Sequence, residues 1–317
     1  MVAHLAAIAL GFSLDRLMGD PPDWPHPVRW IGSLIHSLTG KLNRERYAFR
    51  NGFVMLGIVL SIVVLVSFSL VYLAFAIHWS IGLVVEALLI AAGLSRKSLK
   101  QAAEDVYQPL IQKDLPLARE KLAWIVGRDT EHLDESEITR GVVETVSENT
   151  SDGVTAPLFW AFLFGAPGLW FYKAVNTCDS MVGYKREEFS RFGYASAKLD
   201  DVLNFVPSRI TGFLILVTTK NERSLTFGQR FKQWLRDAKK HPSPNSGYLE
   251  AATAIQMGIE LGGTNTYKGI RSERARMGTA VYQLEAGHIE KAISEMLRVS
   301  LWFFILFMIG GILIAIA

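Results

Sequence analysis

The chain has 317 residues, of which 50% are hydrophobic, and its mean hydropathy is +0.23. This hydrophobicity is high for a soluble protein and ordinary for a membrane protein with a sizeable aqueous part. The net charge of +3 is too small to indicate a nucleic-acid partner. Cys178 is the single cysteine, which excludes an intrachain disulfide and a cysteine-rich zinc site.

The N-terminal segment is apolar and leads into a proline-rich stretch. It lacks a basic n-region and an obvious small-residue cleavage site, so we do not expect a cleaved signal peptide. Residues 15–32 read DRLMGDPPDWPHPVRWIG, and the four prolines predict a rigid extended loop rather than a helix. Such a loop can hold Asp20, His26 and Arg29 in place, or it can be a plain connector with an interfacial tryptophan belt.

The pattern of apolar runs predicts an all-α, polytopic membrane protein. Four basic residues and one acid between residues 41 and 50 precede an uncharged run at 52–77, which places that end of the span in the cytoplasm. Residues 81–94 return the chain, and Glu86 within them is expected to face protein rather than lipid. Residues 299–317 form an uncharged terminal span.

A polar helix is predicted directly before the next apolar run. Asp134, followed three residues later by a glutamate, resembles a capping box that opens a helix through Ser147. Arg140, Glu144 and Glu148 recur every four residues and share one face of this helix. A solvated stripe of salt bridges would explain them. The letters NTSDG that follow are typical of a helix end, however, and would put the acids beside the membrane.

The uncharged run at residues 154–172 is interrupted by GAPG. A single span would put the polar groups SENTSDG and NTCDSMVGYK on opposite faces of the membrane, whereas a helical hairpin that turns at GAPG would bring them together. Segments broken by Gly and Pro are tolerated at membrane depth where protein or a cavity surrounds them. We therefore predict a re-entrant helical hairpin.

A second acidic pair and a cation lie near the next apolar run. Asp200 and Asp201 precede it and can be simple partners of a helix N-terminus. Arg209 lies inside the otherwise uncharged run at 202–219, where it must pair or line a cavity. An anionic substrate group is a plausible partner for its guanidinium.

Residues 219–300 carry thirteen Lys and Arg against eight Asp and Glu, which indicates the cytoplasmic side. The letters around Trp234 resemble an interfacial amphipathic helix. The stretch SPNSG, from Ser243, predicts a turn and a helix start with Glu250 in the first turn. Residues 262–269 are expected to form a polar, Gly-rich loop, which can cradle phosphate through backbone N–H groups.

Six stretches in order resemble the adenosylcobinamide-phosphate synthase family of cobalamin biosynthesis. They are GDPPDWPHPVRWIG, ETVSENTSDGVTAPLFWAFLFGAPG, YKAVNTCDSMVGYK, FGYASAKLDDVLNFVPSRITG, KHPSPNSGYLEAATA and LGGTNTYKG. The resemblance runs from about residue 15 to residue 268. It implies a multi-pass enzyme of the cytoplasmic (inner) membrane, with its active site facing the cytoplasm. Members join adenosylcobyric acid to aminopropanol phosphate or ethanolamine phosphate through an amide, with ATP and Mg²⁺.

The residues and the resemblance together give three sets of candidate site residues. The candidate catalytic residues are Glu144, Glu148, Asp152 and Asp179. The candidate metal ligands are Asp20, Asp152, Asp179, Asp200 and Asp201. The candidate substrate- and phosphate-binding residues are Asn149, Lys173, Asn176, Lys185, Lys198, Arg209, Ser243, Asn245 and Gly263. We expect the segments that carry these residues to converge at the inner edge of the bilayer.

The expected organisation is one membrane-embedded domain over residues 1–317, with cytoplasmic-side segments at about 94–153, 173–201 and 219–298. The expected partners are the corrinoid, the amino-alcohol phosphate and membrane lipid, with no nucleic acid. A homo-oligomer or an assembly with other cobalamin-pathway enzymes stays open. Two other functions also stay open: a Mg²⁺-dependent membrane prenyl or phosphatidyl transferase, and a corrinoid transporter.

Overall fold

A computed structural model of the chain describes residues 2–19, 26–183 and 189–316. The helices, in chain order, are α1 (Val2–Met18), α2 (Pro27–Leu42), α3 (Ala48–Ile77), α4 (Trp79–Gly93), α5 (Arg96–Ile111), α6 (Leu115–Ala123), α7 (Glu135–Asn149), α8 (Ala156–Val182), α9 (Tyr194–Leu203), α10 (Phe205–Thr218), α11 (Phe227–Asp237), α12 (Ser246–Met257) and α13 (Gly287–Ile316). The strands β1 (Glu260–Tyr267) and β2 (Ile270–Gly278) form an antiparallel sheet.

The chain divides into two compact units, each assembled from separated stretches. The first unit contains Met1–Lys97, Asp152–Asn204 and Leu306–Ala317, and the second contains Ser98–Ser151 and Phe205–Ile305. Compactness alone does not define an independently folding domain. The expected single-domain organisation therefore stays a prediction.

Four helical stretches of the described chain are long and apolar enough to cross a membrane. They are Glu45–Ile77, Trp79–Ile111, Glu135–Val182 and Gly287–Ile316. The pair α9 and α10, bent by 47°, would add a fifth if it forms one span. The predicted all-α, polytopic membrane architecture is confirmed.

α8 consists of two helical arms that meet at Gly165, where φ is 68° and ψ is −161°. Asp152 and Asn176 are 24 residues apart, which would separate them by about 36 Å along a straight helix. Asn176 Nδ2 nevertheless lies 3.4 Å from Asp152 Oδ2. The chain therefore doubles back at Gly165, and the predicted helical hairpin is confirmed. Asp179, three residues beyond Asn176, lies at the same end of the hairpin as Asp152.

The tip of the hairpin is held by a buried carboxylate from α4. Ala166 N donates a hydrogen bond to Glu86 Oε1 at 3.4 Å, and His4 Nδ1 lies 3.2 Å from the same oxygen. His4 Nε2 lies 3.3 Å from the carbonyl oxygen of Phe162 on the first arm. Glu86 is only 3% exposed, which confirms that it faces protein rather than lipid.

Two segments that were predicted as a loop or a helix end are helical. α2 begins at Pro27, so the predicted extended segment is wrong beyond His26, which serves as the N-cap. Proline suits the first turn of a helix because its missing N–H has no intrahelical partner there. The helix end predicted at NTSDG is wrong, because the π-helical turn Thr150–Thr155 follows α7 directly and leads into α8. The capping box predicted at Asp134 is confirmed.

The second unit is built around α12, whose residues are buried along almost its whole length. Trp234 of α11 is buried as well, and its Nε1 donates to the carbonyl oxygen of Tyr248 at 2.7 Å. The amphipathic helix predicted around Trp234 is therefore present, but this tryptophan packs on protein and not at a lipid interface.

The Gly-rich stretch at 262–269 is a strand and a turn, so its prediction as a loop is wrong. Gly262 and Gly263 lie in β1 with φ of 90° and 93°, where the register with β2 shifts. Lys268 and Gly269, both with positive φ, form the hairpin turn. Consecutive positive φ angles suit the tight turn of a β-hairpin.

Asp237 at the end of α11 binds donors from three segments of the second unit. Its carboxylate is fully buried and accepts from Arg236 Nε at 2.9 Å, Lys240 Nζ at 2.8 Å and Gly278 N at 3.2 Å. Burial by itself raises the pKa of this carboxyl, but the hydrogen bonds from Arg236, Lys240 and Gly278 outweigh burial and lower the pKa.

We expect Asp237→Asn to lower the free energy of unfolding at neutral pH by about 1–2 kcal/mol. Because the folded pKa is lowered, this stabilisation is present above the ordinary pKa of 3.8 and is lost as pH falls through the folded value. Thermal unfolding in detergent at neutral and acidic pH measures this effect. The variant and the parent should converge in acid, and a difference that stays constant with pH would contradict the assignment.

Candidate functional site

An acid–amide cluster lies at the open end of the hairpin in the first unit. We define it as Asp152, Tyr172, Asn176, Asp200 and Asn204. Asn176 Nδ2 lies 3.4 Å from Asp152 Oδ2 and 3.2 Å from Asp200 Oδ1, so one amide bridges two carboxylates. Asn204 Nδ2 donates to Asp200 Oδ2 at 3.0 Å, and Tyr172 Oη donates to Asn204 Oδ1 at 2.9 Å.

Helical spacing explains why these side chains meet. Tyr172 and Asn176 are four residues apart on the second arm of α8, and Asp200 and Asn204 are four apart at the end of α9, so each pair shares a helix face. Asp152 comes from the π-helical turn Thr150–Thr155. Turns of this kind occur frequently at functional sites.

Other predicted residues of the first unit lie around this cluster. Asp179 is close enough for its charge to oppose that of Asp200. Lys173 is buried on α8, three residues before Asn176. Lys198 Nζ instead pairs with Asp201 Oδ2 at 3.6 Å, and this lysine is half exposed.

Two predicted site residues, Asp20 and Lys185, lie outside the described residues. Their proposed roles as a metal ligand and as a phosphate-binding residue therefore stay predictions.

The oxygen donors of the acid–amide cluster suit a hard cation. Among the described residues, no three histidine, cysteine, aspartate or glutamate side chains are close enough to hold one metal ion. Asp152 and Asp200 nevertheless approach the same amide of Asn176. Mg²⁺ is commonly bound through one or two carboxylates together with waters and substrate phosphates. The cluster therefore fits Mg²⁺ that arrives with a phosphate rather than an ion held by protein alone.

A serine turn, residues 243–246, forms the second group of predicted residues and lies in the second unit. Ser246 Oγ donates to Glu148 Oε1 at 2.8 Å and lies 3.1 Å from Ser243 Oγ. The backbone N–H groups of Asn245 and Ser246 both donate to Ser243 Oγ at 3.3 Å. This turn precedes α12, as predicted, and Ser243 Oγ accepts the N–H of Ser246, the first residue of the helix. Glu250 lies beyond the first turn, so that part of the prediction is wrong.

Arg209 is held flat against the serine turn by two aromatic rings. Its guanidinium carbon lies 3.6 Å from the ring centroid of Phe205 and 4.2 Å from that of Tyr248. Arg209 Nη1 donates to Asn245 Oδ1 at 3.0 Å, and Nη2 donates to the Pro244 carbonyl oxygen at 3.3 Å. Both Nη atoms of Arg209 therefore donate to oxygens of the turn, which is the pairing expected of a cation inside an apolar run.

Glu144 occupies a buried ion-pair network rather than an open position. Its oxygens lie 3.1 Å from Arg128 Nη1 and 3.5 Å from Arg140 Nη1, and it accepts from Gly262 N at 2.9 Å. Arg128 and Arg140 both also donate to Asn265 Oδ1. This network ties α7 to β1, so the stripe of α7 that includes Glu144 is buried and not solvated.

We expect Glu144→Ala to destabilise the second unit by about 3–5 kcal/mol, because two buried guanidinium groups lose their carboxylate partner. Glu120→Ala, at an exposed position of α6, is the matched control and should leave the melting temperature unchanged. Thermal unfolding in detergent separates the variants. A stable Glu144→Ala protein that has lost only its activity would instead support the predicted catalytic role.

The remaining predicted residues are placed as follows. Gly263 lines a cavity of about 560 Å³ in the second unit, together with Arg140, Arg271 and Arg276. Asn149 donates its amide to the Thr145 carbonyl oxygen within α7 at 2.9 Å. Glu137 and Glu260 line the same cavity, and Arg276 Nη1 pairs with Glu260 Oε1 at 2.6 Å, so the role of Gly263 in phosphate binding stays a prediction.

Several residues of these groups were not singled out from the sequence. Tyr172 and Asn204 could have been found, because each lies four residues from a predicted site residue on the same helix. Arg128 carries no such signal, since its partner Asn265 is 137 residues away in the chain.

The fold and these two groups define a polytopic helical membrane protein with buried acid- and amide-rich clusters. Residues 8–296 match the family model described as CobD/Cbib protein. The chain therefore belongs to the CobD/Cbib family, whose members take part in cobalamin biosynthesis.

Curated relatives match over nearly their whole length. "Cobalamin biosynthesis protein CobD" of Halalkalibacterium halodurans is 51% identical over 317 residues, which cover 100% of this chain and 99% of the relative. The Citrobacter koseri protein of the same name is 42% identical over 294 residues, 92% of each chain. "Cobalamin biosynthesis protein CbiB" of Salmonella paratyphi B is 42% identical over 301 residues, again 92% of each chain. No solved structure matches the chain.

Proposed function

We propose that this protein condenses adenosylcobyric acid with (R)-1-amino-2-propanol phosphate, or with ethanolamine phosphate, to form adenosylcobinamide phosphate. Membership of a cobalamin-biosynthesis family supports the corrinoid as substrate. The observation that carries the reaction class is the pair of carboxylates, Asp152 and Asp200, on either side of the Asn176 amide. This arrangement suits a phosphate-bound cation, which an ATP-dependent ligase would need.

The condensation needs an activated acyl group. In the reaction that we propose, a propionate oxygen takes the terminal phosphoryl group of ATP and ADP leaves. The neutral amine nitrogen then attacks the acyl carbon, the acyl–oxygen bond breaks, and inorganic phosphate leaves as the amide forms. Mg²⁺ would supply charge neutralisation for the phosphates, and Asp152 and Asp200 are the residues that would hold it.

The protein's own groups supply proton transfer and anion binding. Glu148, whose carboxylate accepts from Ser246 Oγ, is the base that we assign to the ammonium proton. Arg209 and the serine turn would bind the phosphate of the amino alcohol, with Arg209 supplying positive charge beside the turn. Asp179 and Lys173 would adjust the charge around the acid–amide cluster.

The proposed location is the cytoplasmic membrane, with these groups facing the cytoplasm. The excess of basic residues before α3 and over residues 219–300 supports this orientation. ATP and the amino-alcohol phosphate are charged and would meet the protein on that side.

Membranes that contain the protein test the proposal directly. They are incubated with adenosylcobyric acid, ATP, Mg²⁺ and each amino-alcohol phosphate, and the corrinoid product is identified by mass spectrometry. We expect an amide-linked product that requires all four components. Corrinoid uptake into vesicles without covalent change would favour transport, and turnover of a lipid extract without corrinoid would favour a lipid transferase; either result would overturn the proposal.

A further inference from the structure

His241 precedes the serine turn and contacts the backbone of its first residue, Ser243. Its side chain is only 4% exposed, and the carboxylate that it faces, Glu250 of α12, is fully buried. Ser243 N donates to His241 Nδ1 at 3.0 Å, and His241 Nε2 lies 3.4 Å from Glu250 Oε1. The imidazole therefore bridges the backbone of the turn and a buried acid.

These contacts favour one tautomer of the ring. Nδ1 lies 3.0 Å from Ser243 N and 3.3 Å from the Ser243 carbonyl oxygen. A nitrogen can accept the Ser243 N–H only while it carries no proton, so the shorter contact and the carboxylate beside Nε2 favour the ring with its proton on Nε2. The opposite tautomer would place two hydrogens against each other between Nδ1 and Ser243 N. Glu250 thus selects the form of the imidazole that holds the turn.

The turn transmits this constraint to Glu148. Ser243 accepts the Asn245 and Ser246 N–H groups, and Ser246 Oγ then donates to Glu148. The packing is tight as well, because a Cβ on Gly247 would overlap the Ala238 carbonyl oxygen and lie 2.7 Å from His241 Cβ. A shift of the imidazole therefore shifts the hydroxyl that orients the Glu148 carboxylate.

We propose that His241, held by Glu250, is a positioning residue that sets the serine turn and through it orients Glu148 for the amine half of the reaction. This inference rests on the proposed function for its consequence in catalysis. Neither His241 nor Glu250 is proposed to bind a substrate, so the pair acts through Ser243 and Ser246. Charged groups that act on the pair from neighbouring elements are Glu144 and Glu148 of α7 and Arg274 of β2.

Two substitutions of His241 separate its contact with the Ser243 N–H from its contact with Glu250. In His241→Asn the amide oxygen can occupy the position of Nδ1 and accept the Ser243 N–H, while the link to Glu250 is lost. In His241→Gln the longer side chain reaches toward Glu250 and leaves the turn without its acceptor. Exposed His132 provides the control variant His132→Asn.

We expect His241→Gln to lower kcat/KM for the amino-alcohol phosphate by about 100-fold, because a misplacement of about 1 Å costs that much. His241→Asn should stay within about threefold of the parent, a change of less than 1 kcal/mol in the barrier. The KM for the corrinoid should be unchanged in both variants. If the Asn and Gln variants lose activity equally, or if both substrates are affected alike, His241 is structural only and the proposal is wrong.

A second measurement does not depend on turnover. Nitrogen NMR of protein labelled with ¹⁵N-histidine reports the protonation of each ring nitrogen, and the signals that disappear in His241→Asn identify residue 241. We expect an unprotonated Nδ1 and a protonated Nε2, and a protonated Nδ1 at neutral pH would overturn the assigned tautomer. If the parent protein makes no amide product but the tautomer is as expected, the proposed function is wrong. The inference that His241 positions the serine turn would still stand.

Discussion

Replacing Asp152 by asparagine should lower the rate of amide formation by about 100- to 1000-fold, the usual effect of removing one group that stabilises charge in a transition state. The substitution keeps the size of the side chain and its ability to accept from Asn176, but removes half of the negative charge that would hold Mg²⁺. Asp200→Asn should have a similar effect, since the two carboxylates approach the same amide. Product formation in membranes, measured over a range of Mg²⁺ concentrations, tests both variants.

A control variant and a defined threshold of activity make the prediction for Asp152→Asn specific. Asp105→Asn changes an exposed acid of α5 and should leave the rate unchanged. Activity of Asp152→Asn within about tenfold of the parent, roughly 1.4 kcal/mol in the barrier, would remove Asp152 from the proposed site. A partial loss that excess Mg²⁺ restores would instead support its role as a ligand.

Gly165→Ala should destabilise the hairpin by about 3 kcal/mol. The backbone at Gly165, with φ of 68° and ψ of −161°, lies in a region that is nearly restricted to glycine, and forcing another residue there costs about 1–3 kcal/mol. A Cβ would also lie 2.5 Å from Glu86 Oε1, the oxygen that holds the hairpin tip. The measurement is the thermal unfolding of the purified protein in detergent.

Gly57→Ala is the control for this change, because Gly57 also lies in a membrane-spanning helix but has open space around it. Removing a helical glycine there should be neutral or slightly stabilising. If the two alanine variants melt at the same temperature, the chain does not turn sharply at Gly165, and the bridging of Asp152 and Asn176 would need another explanation.

The helical architecture and the hairpin could be predicted because their signals are local. The uncharged runs, the GAPG interruption and the capping box at Asp134 each lie within a few residues, and all three are confirmed. The facing of Glu86 toward protein followed from the high free energy of an ionised group in lipid. Residues that are close together in the sequence were therefore enough to predict these features.

The errors arose where distant segments decide the structure. Gly262 and Gly263 have the composition of a loop, but pairing with β2 makes them part of a strand. Trp234 resembled an interfacial residue because the α12 backbone that it binds cannot be identified from nearby letters. The burial of Glu144 was also missed, because its spacing gives no sign that Arg128 and Asn265 lie around it. Its catalytic role stays a prediction.

The ion-pair network of Glu144 also constrains how the chain acquires its structure during synthesis. Glu144 and the Gly262 N–H that it accepts are 118 residues apart. At translation rates of about 5–20 residues per second, roughly 6 to 24 s pass between the emergence of the two. During that interval α7 carries Arg140 and Glu144 without the strand that covers them. The second unit can therefore close only after β1 has left the ribosome, whatever the first helices have already done.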